Sequence, residues 1–311
     1  MRTTQLRHNM KACITHPRVS IIITTYNGSN YIAETIESVL AQDFRDWELI
    51  VVDDGSTDNT REIVRSLQDE RINLIEAGRI GRNGMVKNIG LDHSQGEYIA
   101  FIDHDDLWHQ SKLSKQVKAL DENPELGFCM TGGYNFRERG VPCEYFYSQR
   151  EGEWSGSVFQ ALFESRLSVW TQALLIRRTC VDEVGGFSKD TKATDPFFIA
   201  EIACRFNAII NYEPLVFRRL HNSNYSIHNW EEGQEEGIAM IRKYAASKDL
   251  SPMVARKALF RSYIHAGEKY LRVNKPWAAM RNFLSACRQQ PMDLIPWKKM
   301  GKAIVWSIRR N

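Results

Sequence analysis

Tyr98-Ile99-Ala100-Phe101-Ile102-Asp103-His104-Asp105-Asp106-Leu107-Trp108 opens with five apolar residues behind Gly96 and then sets three carboxylates within four positions. An unbroken apolar run of this length reads as a strand buried on both faces, as in the middle of a parallel sheet. Carboxylates crowded at a strand end repel one another. A hard divalent cation shared between them relieves that repulsion, and Mg²⁺ or Mn²⁺ commonly brings a phosphate-bearing substrate with it. An isolated Asp-x-Asp is more often a loop that caps the next helix, so the surrounding sequence decides.

Upstream, Val19-Ser20-Ile21-Ile22-Ile23 is a β-branched run that stops in Thr24-Thr25-Tyr26-Asn27-Gly28. Ile32, Ile36, Val39 and Leu40 follow at helical spacing, and Glu48 to Val52 reads as a second strand that ends in Asp53-Asp54-Gly55-Ser56. Asn59 with Glu62 predicts a capping box for the next helix. Ile72 to Ile75 reads as a third strand, and Val86 to Gly90 as a short helix before the run at 98. Strand and helix alternate, which predicts an α/β fold with a mostly parallel, Rossmann-like sheet flanked by helices. Ligands of such sheets sit at the carboxyl ends of the strands. Those ends carry Thr25-Tyr26-Asn27, Asp53-Asp54 and Asp103 to Asp106, a set suited to a nucleotide diphosphate. Tyr26 can lie against a base, Asp53 or Asp54 can accept from a base N–H, and the acids after the fourth strand can hold ribose and a phosphate-bound metal.

The net charge of +3 over 311 residues, with acids and bases interspersed, gives no footing for nucleic acid as a partner. The six cysteines show no paired spacing that would indicate zinc or a disulfide framework, which favours a reducing compartment. Met1 to Pro17 lacks the apolar core of a secretory signal. No apolar run reaches the roughly 18 residues of a membrane span. The expected setting is the cytoplasm.

The segments VSIIITTYNGSNYIAETIESVLAQDFRDWELIVVDDGSTDNT (19–60) and EYIAFIDHDDLW (97–108) resemble the inverting, nucleotide-sugar-dependent glycosyltransferases of family 2, which have the GT-A fold. The resemblance runs over about residues 18 to 225. It implies that Thr24, Tyr26 and Asp54 hold the base with Asp53 beside them, that Asp103 meets ribose or metal, and that Asp105 ligates the metal, Mn²⁺ or Mg²⁺. Lys87-Asn88 stands where the family often has Arg-Asn, which implies a phosphate contact for Lys87 without the planar fork of Arg. Arg79 or Arg82, in the Gly-rich stretch before it, is placed to reach phosphate as well. Val184-Gly185-Gly186-Phe187 resembles the turn that precedes the family's catalytic acid, and this implies Asp195 as general base. Asp195 before Pro196 is also an ordinary helix cap. Glu213 to His221 resembles the closing strand, which implies His221 as a metal ligand or phosphate donor, with Arg218 or Arg219 in support.

The implied division is a lead-in over 1–17, a transferase domain over 18–228 and a helical region over 229–311. Within the domain, 18–125 binds the nucleotide-sugar and 126–228 supplies the acceptor side and the base. In that second half, strands are expected over 126–134 and 171–176, with a helical stretch within 151–170. Trp297 to Arg310 places Trp297, Met300, Ile304 and Ile308 at helical spacing among five bases, which predicts a basic amphipathic helix able to lie on an anionic membrane. The implied substrates are a nucleotide-sugar, foremost a UDP-sugar, and a glycan or lipid-linked acceptor of surface polysaccharide or lipopolysaccharide. The readings weighed against this are a catalytically silent nucleotide-sugar-binding module and a sugar-nucleotide pyrophosphorylase. The latter expects a Gly-rich basic loop where this chain has Thr24-Thr25-Tyr26-Asn27.

Overall fold

The computed structural model describes residues 16–146, 151–164, 167, 170–191, 194–222 and 230–308. The strands are β1 (Val19–Thr25), β2 (Trp47–Asp53), β3 (Ile72–Glu76), β4 (Tyr98–Asp103), β5 (Leu107–Trp108), β6 (Phe128–Phe136), β7 (Pro142–Tyr145), β8 (Glu153–Gly156), β9 (Leu174–Arg177) and β10 (Ala208–Arg219). The helices of the sheet-bearing part are α1 (Ile32–Leu40), α2 (Thr60–Ser66), α3 (Asn83–His93), α4 (Lys112–Asp121), α5 (Phe159–Phe163), α6 (Arg178–Val184) and α7 (Thr194–Arg205). Four more follow: α8 (Trp230–Ala246), α9 (Pro252–Arg272), α10 (Pro276–Gln289) and α11 (Ile295–Ile308).

One sheet runs in the order β3-β2-β1-β4-β9-β6-β10-β5, with β7 on β6 and β8 on β10. The first four strands pair in parallel, as their apolar runs predict. Beyond β4 the direction reverses, because β9 is antiparallel to both β4 and β6, and β10 then pairs with β6 in parallel. The sheet is therefore mixed: parallel through the first half and largely antiparallel in the second. The helical stretch expected within 151–170 resolves into the exposed strand β8 and the short helix α5, and the strand expected from 171 begins with a 3₁₀ turn, Thr171–Ala173. The Asn59 capping box does not form. Asp58 takes its place, accepting from the Thr60 and Ser29 amides at 3.1 Å each.

Two apolar layers sandwich the sheet. Ile21, Ile23, Val51, Ile102 and Leu120 pack with α1 and α4 on one face, and Ile22, Phe101, Phe128, Phe198 and Ile202 pack on the other. Ile241, Tyr244, Leu250 and Val254 belong to this second cluster, so α8 and the start of α9 rest directly on the sheet's core. The expected boundary at 228 lies outside the described residues, as does the lead-in over 1–15. Among the described residues no helix is long and apolar enough to cross a membrane.

Candidate active site

Parallel pairing brings the strand ends level. Thr24 stands opposite both Val52 and Asp103, and Thr25 opposite Asp53. Thr24 Oγ1 donates to Asn83 Oδ1 at 2.7 Å, tying β1 to the first residue of α3. Tyr26, just past β1, is 40% exposed, and the Arg79 guanidinium carbon lies 3.8 Å over its ring. Asp54 is buried and accepts from the Arg79 guanidinium, from the Ile80 amide at 2.5 Å and from the Gly81 amide at 3.0 Å. A base that is to use Tyr26 and Asp54 must therefore displace Arg79. Asp53 serves the turn after β2, accepting from the Ser56 amide at 3.0 Å with Arg61 Nε at 4.0 Å. Arg82, which with Arg79 is expected within reach of phosphate, donates to the Lys189 carbonyl at 2.8 Å.

The acidic loop after β4 divides into three roles. Asp106 is buried and structural: Oδ1 accepts from the Arg219 amide at 2.8 Å and Oδ2 from Gln172 Nε2 at 2.6 Å. Burial, with Asp105 and Asp103 adding to it, pushes the Asp106 carboxyl well above its ordinary pKa. Asp105 points the other way, its Oδ2 2.8 Å from His221 Nε2, and the His221 ring leans on Tyr31 at 4.7 Å between centroids. Arg219 braces this arm by donating to the Asp105 carbonyl at 2.9 Å and pairing with Glu34. Asp103 faces Lys87, whose Nζ is 3.8 Å from Oδ1. Burial raises the Asp103 pKa against the opposing pull of Lys87, and Asp195 and Asp105 raise it further.

Lys87 is the centre of the site. It lies on α3 and is 2% exposed, beneath the rings of Phe101 and Phe187. Its Nζ donates to both oxygens of Asp195 at 2.8 Å, and Thr171 Oγ1 donates to Asp195 Oδ2 at 2.8 Å. Burial works against the ammonium, yet Asp195, Asp103 and Asp106 outweigh it and the Lys87 pKa is raised. Lys87, expected to contact phosphate, makes a buried ion pair here that joins the end of β4 to the start of α7. Asn88, the next residue, fixes the Gly-Gly-Phe turn from the same helix: Nδ2 donates to the Phe187 carbonyl at 2.9 Å and Oδ1 accepts from the Phe187 amide at 2.8 Å.

Asp105 and His221 offer an oxygen and a nitrogen donor of the kind Mn²⁺ accepts. Among the described residues no three His, Cys, Asp or Glu side chains converge as a metal cluster. Two protein donors remain a workable set, because Mg²⁺ and related ions are ordinarily held by one or two carboxylates together with phosphate oxygens and water. Sequence reasoning missed Thr171, Gln172 and Glu34. None sits in a motif, and only the packing of distant segments gives them partners.

A profile of the family described as glycosyl transferase family 2 matches residues 20–159. A glycosyltransferase named for teichuronic acid biosynthesis, TuaG of Bacillus subtilis strain 168, is 39% identical over 132 residues, covering 42% of this chain and 52% of that protein. The uncharacterized glycosyltransferase RT0329 of Rickettsia typhi is 29% identical over 239 residues, covering 75% of this chain and 74% of its own. The chain spans about half or less of the length of the first curated relatives it matches. Among solved structures, S. aureus TarS 1–349 in complex with UDP-GlcNAc superposes with a TM-score of 0.70 at 16% identity, covering 92% of this chain and 89% of that one. The mannosyltransferase PcManGT of Pyrobaculum calidifontis in complex with GDP-Man and Mn²⁺ gives 0.59 at 22%, covering 95% and 81%. Likeness at these identities concerns the fold.

Proposed function

We propose that this chain, which belongs to glycosyl transferase family 2 through residues 20–159 and has its GT-A fold, is an inverting hexosyltransferase. Its donor is a nucleotide-sugar, foremost a UDP-sugar, and its acceptor a hydroxyl of a glycan or lipid-linked intermediate of surface polysaccharide. The relative named for teichuronic acid biosynthesis and the neighbour crystallised with UDP-GlcNAc support this choice. The proposed setting is the cytoplasm at the membrane surface, in keeping with six cysteines that show no paired spacing.

The observation that carries the reading is the convergence on Lys87. One ammonium reaches Asp195 at 2.8 Å and Asp103 at 3.8 Å, so the acid at the end of the nucleotide-side strand and the acid at the start of α7 border one space. Asp195 keeps 30% of its side chain exposed, open to an acceptor hydroxyl. In the transfer, the acceptor oxygen forms its bond to the anomeric carbon as the bond to the diphosphate oxygen breaks. The diphosphate leaves with that electron pair, and the acceptor proton passes to the Asp195 carboxylate. Lys87 and Thr171 hold the carboxylate in place for this step. With one base and no second carboxylate acting as nucleophile, displacement is single and configuration inverts, so an α-linked donor gives a β-linked product. Asp105 and His221 would hold Mn²⁺ or Mg²⁺, which when bound neutralises charge on the diphosphate.

The test is Asp195→Asn with a UDP-sugar and its accepted glycan. Transfer falls by about 10²–10⁴-fold while nucleotide binding is retained. Undiminished transfer would remove Asp195 from the mechanism, and absence of transfer by the wild-type chain with every nucleotide-sugar would leave a binding module.

A further inference from the structure

Of the apolar stripe predicted for the last helix, Trp297 and Met300 differ in their surroundings. Met300 packs into the cluster of Ala266, Tyr270, Ala279 and Phe283, and Ala303 is fully buried. What stands exposed is the corner where α10 turns into α11. Met292 is 92% exposed, Leu294 64%, Ile295 48% and Trp297 50%, four large apolar side chains within six residues. The corner is held by ordered backbone: Asp293 Oδ1 accepts from the Ile295 amide at 2.8 Å, the Lys298 amide donates to the Leu294 carbonyl at 3.0 Å, and Pro296 is buried beneath. These side chains are presented outward by a fixed turn, and contiguous exposure of this kind marks an interaction surface.

The charge around the corner selects the partner. From Pro276 onward the sequence has seven Lys and Arg against one acid, Asp293, and of the seven Lys299 is paired with Glu268 of α9. Arg288 and Lys298 are exposed on either side of the turn. An apolar wedge flanked by the exposed Arg288 and Lys298 fits the boundary between headgroups and acyl chains of an anionic bilayer. Nucleic acid is a poorer fit, because three of the four exposed side chains are aliphatic and offer no stacking face. We propose that the α10–α11 corner docks this protein on an anionic membrane by inserting Met292, Leu294, Ile295 and Trp297, with Arg288 and Lys298 at the headgroups. This goes beyond the transferase reading, which gives the contact its purpose by bringing a lipid-linked acceptor within reach.

The experiment is flotation of the full chain with vesicles of phosphatidylcholine alone or mixed with phosphatidylglycerol, at low and high salt. The wild type floats with the anionic vesicles and is released by salt, and the exposed double substitution L294S/I295S weakens flotation by about ten-fold or more without changing the melting temperature. Lys298→Glu weakens it without touching the wedge. The proposal is overturned if the wild type fails to float, if L294S/I295S floats equally well, or if the wild type is a dimer that L294S/I295S renders monomeric, since a second copy would then cover the corner. Thermal stabilisation by UDP, measured on the same proteins, reads the nucleotide site separately, so either reading can fail without the other.

Discussion

Lys87 shows at the scale of one residue what the sequence conceals. Its partner Asp195 is 108 positions away, and no spacing rule links a lysine in a short helix to a carboxylate in front of a distant proline. The resemblance implies Asp195 as an acid at a helix start, where the structure has it, and implies a phosphate contact for Lys87 without any hint of its burial against Asp195. The packing of Phe101 and Phe187 over the ammonium determines the outcome, since a buried charge needs a partner and Asp195 supplies it. Lys87→Met keeps the volume and removes that charge. The variant remains folded, because Asp103 and Asp195 keep partial contact with water, while transfer falls by about 10²-fold or more as Asp195 loses its orientation. Rates measured beside the melting curve check this, and a parallel collapse of both would make Lys87 a structural residue only.

At the scale of elements, the strands that read clearly are the ones buried on both faces. β1, β2 and β4 are largely apolar and β-branched runs bounded by turn residues, and their register brings Thr24, Asp53 and Asp103 level at the strand ends. β7 and β8 are four-residue strands with exposed side chains, so neither carries an apolar period for a reading to catch. The Gly185-Gly186 turn is legible by its glycines, and the structure adds its reason. Gly186 has φ +76°, and a Cβ there would sit 2.7 Å from Asn88 Oδ1, the atom that receives the Phe187 amide. Gly186→Ala is therefore expected to cost about 1–3 kcal/mol, with thermal unfolding as the readout, and to disturb α7 and Asp195 with it. Unchanged stability and rate would mean the turn can be remade without that hold.

Across the whole molecule, fold class, the strand–helix alternation of the first half and the helical C-terminal region follow from periodicity, whereas the strand order and the antiparallel second half depend on tertiary pairing that local pattern does not carry. One buried lysine links this assembly to pH. Lys112 is fully buried, its Nζ 2.7 Å from Gln116 Oε1 and 3.9 Å from the Trp108 ring centroid. Burial lowers its pKa from 10.5 to about 7. Between these values the unfolded chain binds the proton and the folded chain does not, so this group's contribution to stability rises with pH across the window and its penalty is complete below pH 7. Lys112→Met is then more stable than the wild type by on the order of a few kcal/mol at neutral pH or below, with the gain shrinking toward pH 10.5. Denaturant titrations across that range check it, and a gain independent of pH would contradict the shift. Nucleotide binding at the strand ends is tested most directly by thermal unfolding with UDP, GDP, CDP and dTDP, each with and without Mn²⁺. At about a hundred times the dissociation constant a bound nucleotide adds roughly 2.7 kcal/mol. The account predicts a stabilisation by UDP that Mn²⁺ enhances and Asp105→Asn removes; no stabilisation by any of the four nucleotides would contradict it.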